Sequence, residues 1–231
     1  MADRIMMFID TSKCIACKAC QVACKQWHSL PAEETTFTGS LQNPPDVSGS
    51  TLTNIRFTEY ENVRGKLLFL FFKNQCRHCI RPKCNKACAR GVEVTAEGFV
   101  IFNEDCTIAN LRVSGTTDDE KKENFKNTCP FKIPRYNETL GRFVKCDFCV
   151  DRFNSDFYLG HREGKPTTAC EFTCPPGAIY TGPVTDVRGR ALARLRALKV
   201  NNKKANLYQG KYGRTQVIFL LTETAKAYGV T

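Results

Sequence analysis

The 231-residue sequence predicts an α+β fold class, with two cysteine-bearing modules in one chain, on three observations. Its 14 cysteines are bunched in groups instead of being scattered along the chain. Short apolar runs, which are typical of strands, precede or follow the cysteine groups. Hydrophobic residues make up 42% of the chain and charged residues 25%, which is the composition of a globular protein.

Each predicted element follows from local pattern. Apolar and β-branched runs predict strands at 4–9, 66–72 (running on to Gln75), 92–95, 99–102 and 215–222. Short helices are expected at 21–26, which follows the third cysteine of the first group, and at 83–87, which contains the third cysteine of the second group. Residues 185–200 place Val187, Ala191, Leu195 and Leu198 on one face, which predicts a core-facing amphipathic helix. The longest apolar run, Leu67 to Phe72, is far below the roughly 20 residues of a membrane span.

Domain organisation follows from the order of the cysteine groups. Residues 1–60 and 140–182 are predicted to form module 1, residues 61–139 module 2, and residues 183–231 a C-terminal helix–strand extension. The segment 29–54 is rich in Pro, Gly, Ser and Thr, so we expect a loop insertion that becomes ordered on a partner protein. The N-terminus has no apolar signal-peptide region.

The spacing of the cysteines predicts iron–sulfur chemistry. The groups are Cys14, Cys17, Cys20, Cys24; Cys76, Cys79, Cys84, Cys88; Cys106, Cys129; and Cys146, Cys149, Cys170, Cys174. The first group reads C-x2-C-x2-C-x3-C, in which bacterial ferredoxins bind one [4Fe–4S] cluster through three thiolates and a second cluster through the fourth. The second and fourth groups are expanded versions that keep the final x3 step. Zinc stays open as an alternative, since the fourth group alone could form a zinc ribbon.

The third group is degenerate. When Cys106 is taken as its first ligand, the next two ligand positions fall on Ala109 and Arg112, and neither side chain can replace a thiolate. A polar stretch from Ser114 to Lys126 then precedes Cys129-Pro130. The sequence therefore indicates four cluster motifs, one of which has lost its central ligands.

Ferredoxin motifs exchange their fourth ligand, so motif one is predicted to pair with motif four, and motif two with motif three. Three clusters result. Cys88 and Cys106 are left over and are expected to be free buried thiols, with a disulfide or a small metal site as the alternative. The predicted ligands are Cys14, Cys17, Cys20, Cys174 for cluster 1; Cys24, Cys146, Cys149, Cys170 for cluster 2; and Cys76, Cys79, Cys84, Cys129 for cluster 3.

The formal net charge of +11 is balanced in part by these clusters. An oxidised [4Fe–4S] core with four thiolates carries roughly −2, so three clusters bring the charge to about +5. Several basic residues adjoin ligand cysteines, where they would stabilise reduced clusters: Lys18, Lys25, Arg77, Arg81, Lys83, Lys86 and Lys145. Since no nucleic-acid-binding motif accompanies the charge, nucleic acid is not an expected partner.

Catalytic motifs are not found. The sequence contains no Ser-His-Asp set, carboxylate pair or phosphate-binding loop, so no substrate chemistry is predicted for this chain. His78, between Cys76 and Cys79, is expected at the loop surface, with a hydrogen bond that tunes cluster 3 as the alternative.

With its four motifs in this order, the chain resembles the iron–sulfur subunits of molybdenum and tungsten bis-pterin oxidoreductases. Within that family it is most similar to the small subunits of soluble two-subunit formate dehydrogenases. The segments that carry the closer resemblance are Cys24-Lys25-Gln26-Trp27, Leu30-Pro31-Ala32-Glu33-Glu34-Thr35, Gln42-Asn43-Pro44-Pro45-Asp46 and Gln75-Cys76-Arg77-His78-Cys79.

The resemblance implies an electron-transfer subunit. A large catalytic subunit would hold the tungsten or molybdenum bis-pterin cofactor and one further [4Fe–4S] cluster. Cluster 1 would lie nearest that subunit, cluster 2 next, and cluster 3 at the exit towards a small carrier such as a c-type cytochrome or a ferredoxin. Periplasmic localisation by co-export is expected, with the cytoplasm as the alternative. The competing functions are the same module in another bis-pterin enzyme or a hydrogenase, and a free-standing polyferredoxin.

Overall fold

A computed structural model describes residues 4–63, 65–154, 164–210 and 213–230. Its strands are β1 (Ile5–Asp10), β2 (Asn54–Glu61), β3 (Leu67–Asn74), β4 (Val92–Val94), β5 (Val100–Phe102), β6 (Arg135–Asn137), β7 (Arg142–Val144), β8 (Ile179–Pro183), β9 (Asn206–Tyr208) and β10 (Val217–Leu221). Its α-helices are α1 (Ala19–Trp27), α2 (Lys83–Ala87), α3 (Asp118–Thr128), α4 (Asp151–Asn154), α5 (Ala169–Phe172) and α6 (Val184–Lys199). Every strand and helix predicted above forms, with ends within about two residues of the expected ones.

The central sheet has the strand order β8-β1-β10-β9, with β1 parallel to β10 and antiparallel to β8. Side chains alternate between its two faces. Met6 and Phe8 face α6, whereas Met7 and Ile9 face the larger core beside the cysteine loops. Both faces are covered, which explains why β10 is a continuous apolar run with every residue buried.

Helix α6 packs on the outer face of this sheet through the predicted apolar stripe. Val187 and Ala191 are fully buried, and Leu195 and Leu198 pack against the same cluster, which confirms the prediction. In the described ranges, no helix has the length and apolar character needed to cross a bilayer.

The predicted domain limits do not coincide with separate sheets. Strands β9 and β10 of the extension pair within the same sheet as β1 of module 1. The β2–β3 hairpin likewise crosses the predicted boundary at residue 60, because Asn54–Glu61 pairs along its full length with Leu67–Asn74. The sheets therefore tie the three predicted segments together, and the division into modules stays a prediction based on cysteine order.

Helix α3 is an element that hydrophobic periodicity does not reveal. The stretch is polar, and Phe125 is its one buried residue. Its start is nevertheless encoded, because Thr117 and Glu120 form a reciprocal capping box. The helix inserts the fully buried Phe125 ring beside Phe143, with 4.6 Å between ring centroids.

Part of the segment 29–54 packs on its own chain, which differs from the expectation that a partner orders it. The Glu33 carboxylate accepts hydrogen bonds from the hydroxyls of Ser48, Ser50 and Thr51. Val47 and Leu52 are buried. The expectation is therefore wrong for the second half of the segment, whereas Phe37 and Leu41 remain exposed in the first half.

Gly91 permits a close backbone approach that can be tested by substitution. A Cβ atom at this position would lie 2.3 Å from Cα of Cys106, so Gly91→Ala forces the backbone apart at a cost of about 1–3 kcal/mol or more. The matched control is Gly189→Ala in α6, where a Cβ would meet nothing within 4 Å. We expect the control to gain about 0.5–1 kcal/mol, because alanine favours helix over glycine.

Anaerobic thermal unfolding of the iron-loaded variants checks this pair. The melting temperature is expected to fall for Gly91→Ala and to rise slightly for Gly189→Ala. Equal melting temperatures for the two variants would contradict the close approach.

Candidate iron–sulfur sites

Three cavities are each lined by four cysteine side chains. The groups they bring together are those that the crosswise pairing predicts. We name the cavities site 1 (Cys14, Cys17, Cys20, Cys174), site 2 (Cys24, Cys146, Cys149, Cys170) and site 3 (Cys76, Cys79, Cys84, Cys129).

Sites 1 and 2 are joined by two short helical segments. Helix α1 carries Cys20 and Cys24 one turn apart, so that one thiol faces site 1 and the other faces site 2. Cys170 in α5 and Cys174 just after it repeat this arrangement in the opposite direction. The x3 spacing that ends both motifs is therefore the element that divides ligands between neighbouring sites.

Sites 2 and 3 are also neighbours. Cys146 of site 2 packs against the small apolar cluster that contains Cys76 of site 3. Three of the four site 2 cysteines are buried, whereas Cys17 of site 1 is exposed and three cysteines of site 3 are half-buried. The sites thus form a row whose middle member has the most buried cysteines.

The cysteine loops contain most of the backbone strain in the described residues. Six non-glycine residues with positive φ lie within or next to these loops: Ala16, Lys18, His78, Lys132, Phe148 and Cys149. Such conformations cost of order 1–3 kcal/mol each and persist where surrounding structure or a ligand fixes them. They turn the chain around the cavities, and backbone N–H groups of His78 and Ala178 point at the sulfurs of Cys76 and Cys174, at 3.4 and 3.3 Å.

Burial makes several of these thiols poor acids. It raises the pKa values of Cys20, Cys79, Cys84 and Cys146 to about 12. Thiolates ligate metals, so iron must displace these protons, and its binding is coupled to their release. This set of converging buried sulfurs suits a soft-metal cluster and has no evident structural use without one.

Buried cations surround the sites. Lys73, Arg77 and Lys145 are 2%, 3% and 6% exposed, and within the described ranges none of them forms a salt bridge with a carboxylate. The Arg77 guanidinium stacks on Phe72 and Phe219, at 4.7 and 4.5 Å from their ring centroids. Of the seven basic residues singled out in the sequence, Arg77 and Lys145 are buried, and the other five are half-buried or exposed.

Lys73 was missed by the sequence analysis. It looks like the polar end of an apolar strand, although its position shortly before Cys76 could have marked it as a candidate.

The expectation that His78 lies at the loop surface is wrong. Its side chain is fully buried, with its ring edge-on to Phe148, and its Nδ1 accepts the Val100 N–H at 3.0 Å. Burial, and then the charge of Lys145, hold the pKa of His78 well below its usual range. His28 lines site 2, with Nε2 3.4 Å from Asp147, and His161 lies outside the described residues.

Cys88 and Cys106 line none of the three cavities and lie in a second apolar core, against which Cys84 of site 3 packs. Both are fully buried, together with Phe102, Phe125 and Phe143. The degenerate ligand positions Ala109 and Arg112 are exposed. These two thiols are thus packed among aromatic side chains.

Three enclosed four-cysteine sites on ferredoxin-type loops define an iron–sulfur protein of the [4Fe–4S] class. A family profile described as "4Fe-4S dicluster domain" matches residues 67–184, and one described as "4Fe-4S binding domain" matches residues 5–26. These matches support iron–sulfur clusters over the zinc alternative.

Comparison with individual proteins identifies the family of iron–sulfur proteins to which the chain belongs. The chain is 38% identical to the formate dehydrogenase subunit beta of Megalodesulfovibrio gigas, over 96% of this chain and 95% of the relative. It is 33% identical to the formate dehydrogenase 2 subunit beta (cytochrome c-553) of Nitratidesulfovibrio vulgaris, over 95% and 94%. It is 36% identical to the iron–sulfur subunit of the nitrate-inducible formate dehydrogenase of Escherichia coli, over 94% and 68%. The chain belongs to the family of formate dehydrogenase beta, or iron–sulfur, subunits.

Proposed function

We propose that this chain is the electron relay of a formate dehydrogenase, and that it carries electrons through three [4Fe–4S] clusters between a catalytic subunit and an external redox protein. The observation that carries the proposal is the row of three four-cysteine sites, since site 1 at one end has an exposed cysteine, site 3 at the other end has three half-buried ones, and site 2 joins them. Such a row offers an entry and an exit for electrons.

The protein's contribution is to hold and insulate the clusters. The twelve cysteines of sites 1–3 are the proposed ligands, and each bound cluster would accept and release one electron at a time. Apolar walls such as Ile9, Ile55 and Ile179 keep water from the buried sulfurs of site 1. The buried cations and the backbone N–H groups favour the more negative, reduced state of each site.

A partner surface for the catalytic subunit surrounds site 1. Ile15, in the site 1 loop, is 62% exposed, and Leu41, in the loop insertion, is 65% exposed. Lys18 holds these two segments together, because its Nζ donates to the Leu41 carbonyl at 2.8 Å. Exposed apolar side chains next to an electron entry point are typical of a protein–protein interface, so we assign this rim to the large bis-pterin subunit.

Substitutions at the rim test this assignment. Ile15→Asp is expected to weaken binding of the catalytic subunit at least tenfold, because it places a charge in an apolar contact. Val63→Asp, at the 90% exposed tip of the β2–β3 hairpin, is the matched control and should leave binding unchanged. Co-purification and affinity measurements of the two variants check this, and equal binding by both would contradict the assignment.

Formate tests the function itself. When formate is added anaerobically to the assembled complex, the clusters of this chain should become reduced, as their electron paramagnetic resonance (EPR) signals report. Reduction confined to the cofactors of the catalytic subunit would contradict the relay. A chain that elutes alone and exchanges electrons only with soluble carriers would instead indicate a free-standing polyferredoxin.

We further propose periplasmic localisation through co-export with the catalytic subunit. The site 2 cysteines are enclosed by the fold, so clusters would be inserted before the chain leaves the cytoplasm. Such a chain needs a transport route for folded proteins, and a partner with a twin-arginine signal would provide it. Cell fractionation with and without the partner's signal tests this, and cytoplasmic retention beside an exported partner would contradict it.

A further inference from the structure

Lys73 lies between two of the proposed clusters. It is next to last in β3, opposite Ile55 of β2, and its side chain lines both site 1 and site 2. No other residue lines both of these cavities in the described part of the chain. The side chain is 2% exposed, so water does not screen its charge effectively.

The ammonium group is fixed in this position by neutral partners. Its Nζ donates to Oγ1 of Thr53 at 2.8 Å and to Oε1 of Gln75. Thr53 is itself tied to the carbonyl of Asn74 at 3.1 Å, and the Gln75 amide donates to the Met7 sulfur at 3.1 Å. Both partners line site 2, so the charge is held beside that cavity by a network of buried hydrogen bonds.

A buried ammonium without a carboxylate partner needs another source of negative charge. The candidates here are cysteine sulfurs from both sides. Cys20 of site 1 and Cys24, Cys146 and Cys170 of site 2 line the two cavities that Lys73 also lines. Cluster-bound thiolates on both sides would therefore supply that negative charge.

We propose that Lys73 is a shared electrostatic positioning residue, whose single charge raises the reduction potentials of the clusters at sites 1 and 2 together. This inference rests on the proposed function, because it requires clusters at both sites. Reduction adds one negative charge to a cluster, and a fixed cation in a poorly screened gap stabilises that charge on either side. It also lessens the repulsion between neighbouring clusters when both are reduced.

Lys145 provides an internal comparison. It lines site 3, and its Nζ donates to the carbonyl of Cys146 at 3.0 Å and to that of Val100. Its charge therefore acts on site 3, and on site 2 through Cys146, but not on site 1. Removal of each lysine is therefore expected to shift the potentials of a different pair of clusters.

The experiment is an EPR-monitored redox titration of the complete complex with Lys73→Gln, Lys73→Arg, Lys145→Gln and the control Lys199→Gln. Potentials are assigned with serine variants at Cys17, Cys149 and Cys79. Lys73→Gln keeps a hydrogen-bond donor but removes the charge, so we expect the reduced-to-oxidised ratio of sites 1 and 2 to fall at least tenfold at a fixed potential, which is 59 mV for a one-electron couple. The same ratio at site 3 should change less than threefold.

The other variants test charge against structure. Lys73→Arg keeps the charge, so the reduced-to-oxidised ratios at sites 1 and 2 should stay within threefold of the wild-type values. Lys145→Gln should lower the reduction potentials at sites 2 and 3 but not at site 1. Lys199→Gln should change none of them, because Lys199 lines none of the three cavities and its exposed charge is screened. Unchanged potentials in iron-replete Lys73→Gln, or an equal shift of all three clusters, would overturn the proposal.

Iron analysis separates the possible failures. A wild-type chain without iron and sulfide would refute the proposed function, whereas a loaded wild type with no shift in Lys73→Gln would refute this inference alone. If Lys73→Gln does not load iron, Thr53→Val provides the second test. Loss of the Thr53 hydroxyl loosens the ammonium, so the reduced-to-oxidised ratio should fall about threefold at sites 1 and 2 only. No change in that ratio would overturn the proposal.

Discussion

Removal of iron is expected to unfold the chain. Lys73 and Lys145 are buried, and no carboxylate among the described residues pairs with them. A buried charge that loses its counter-charge costs about 3–5 kcal/mol, which is a large fraction of the roughly 5–15 kcal/mol that stabilises a typical domain. The free energy of cluster binding therefore contributes directly to the folding free energy of this chain.

Circular dichroism and thermal unfolding before and after anaerobic chelation of iron check this prediction. The iron-free wild type should lose its cooperative transition. Lys73→Met gives a matched comparison, because it removes one of the two charges at similar side-chain volume and should leave the iron-free chain more folded than the wild type. A melting temperature within a few degrees of the loaded protein would contradict the account.

A single ligand substitution should remove one cluster and leave the others. Cys149→Ser is expected to lower iron from about twelve to about eight atoms per chain, since a serine hydroxyl is a poor ligand for this cluster type. Cys106→Ser is the matched control, because both cysteines are buried but Cys106 packs among Phe102, Phe125 and Phe143 instead of lining a cavity. The control should keep its iron and lose only about 1–3 kcal/mol of stability, because serine places a more polar group than the thiol in an apolar core.

Iron analysis and the EPR spectrum of the two variants distinguish these outcomes. Loss of iron from Cys106→Ser would show that the second apolar core holds a cluster. Full iron in Cys149→Ser would show that the assignment of site 2 is wrong.

The cysteine spacing was sufficient to predict which thiols the fold brings together, because ligand loops are local structures and the x3 step sends the last cysteine of a motif to the next site. Strands β1, β3 and β10 were predictable for a similar reason, since each is a continuous apolar run. Helix α6 shows its apolar stripe directly in the sequence.

Other features depend on long-range packing and could not be predicted in this way. The environment of Lys73 depends on the β2–β3 hairpin lying against α1, and a lysine after an apolar run ordinarily indicates the solvent-exposed end of a strand. His78 is buried because Val100 and Phe148, far away in sequence, close over it. Helix α3 has little apolar character, and only its capping residues Thr117 and Glu120 could have identified it.

The central claim is that three clusters occupy sites 1–3 and none occupies the region of Cys88 and Cys106. Its most direct test is the iron and acid-labile sulfide content of the anaerobically purified chain, together with EPR spin quantification. The account predicts about twelve iron and twelve sulfide per chain, with three spins on full reduction. About sixteen of each would place a fourth cluster at Cys88 and Cys106, and zinc without sulfide would contradict the electron-transfer function.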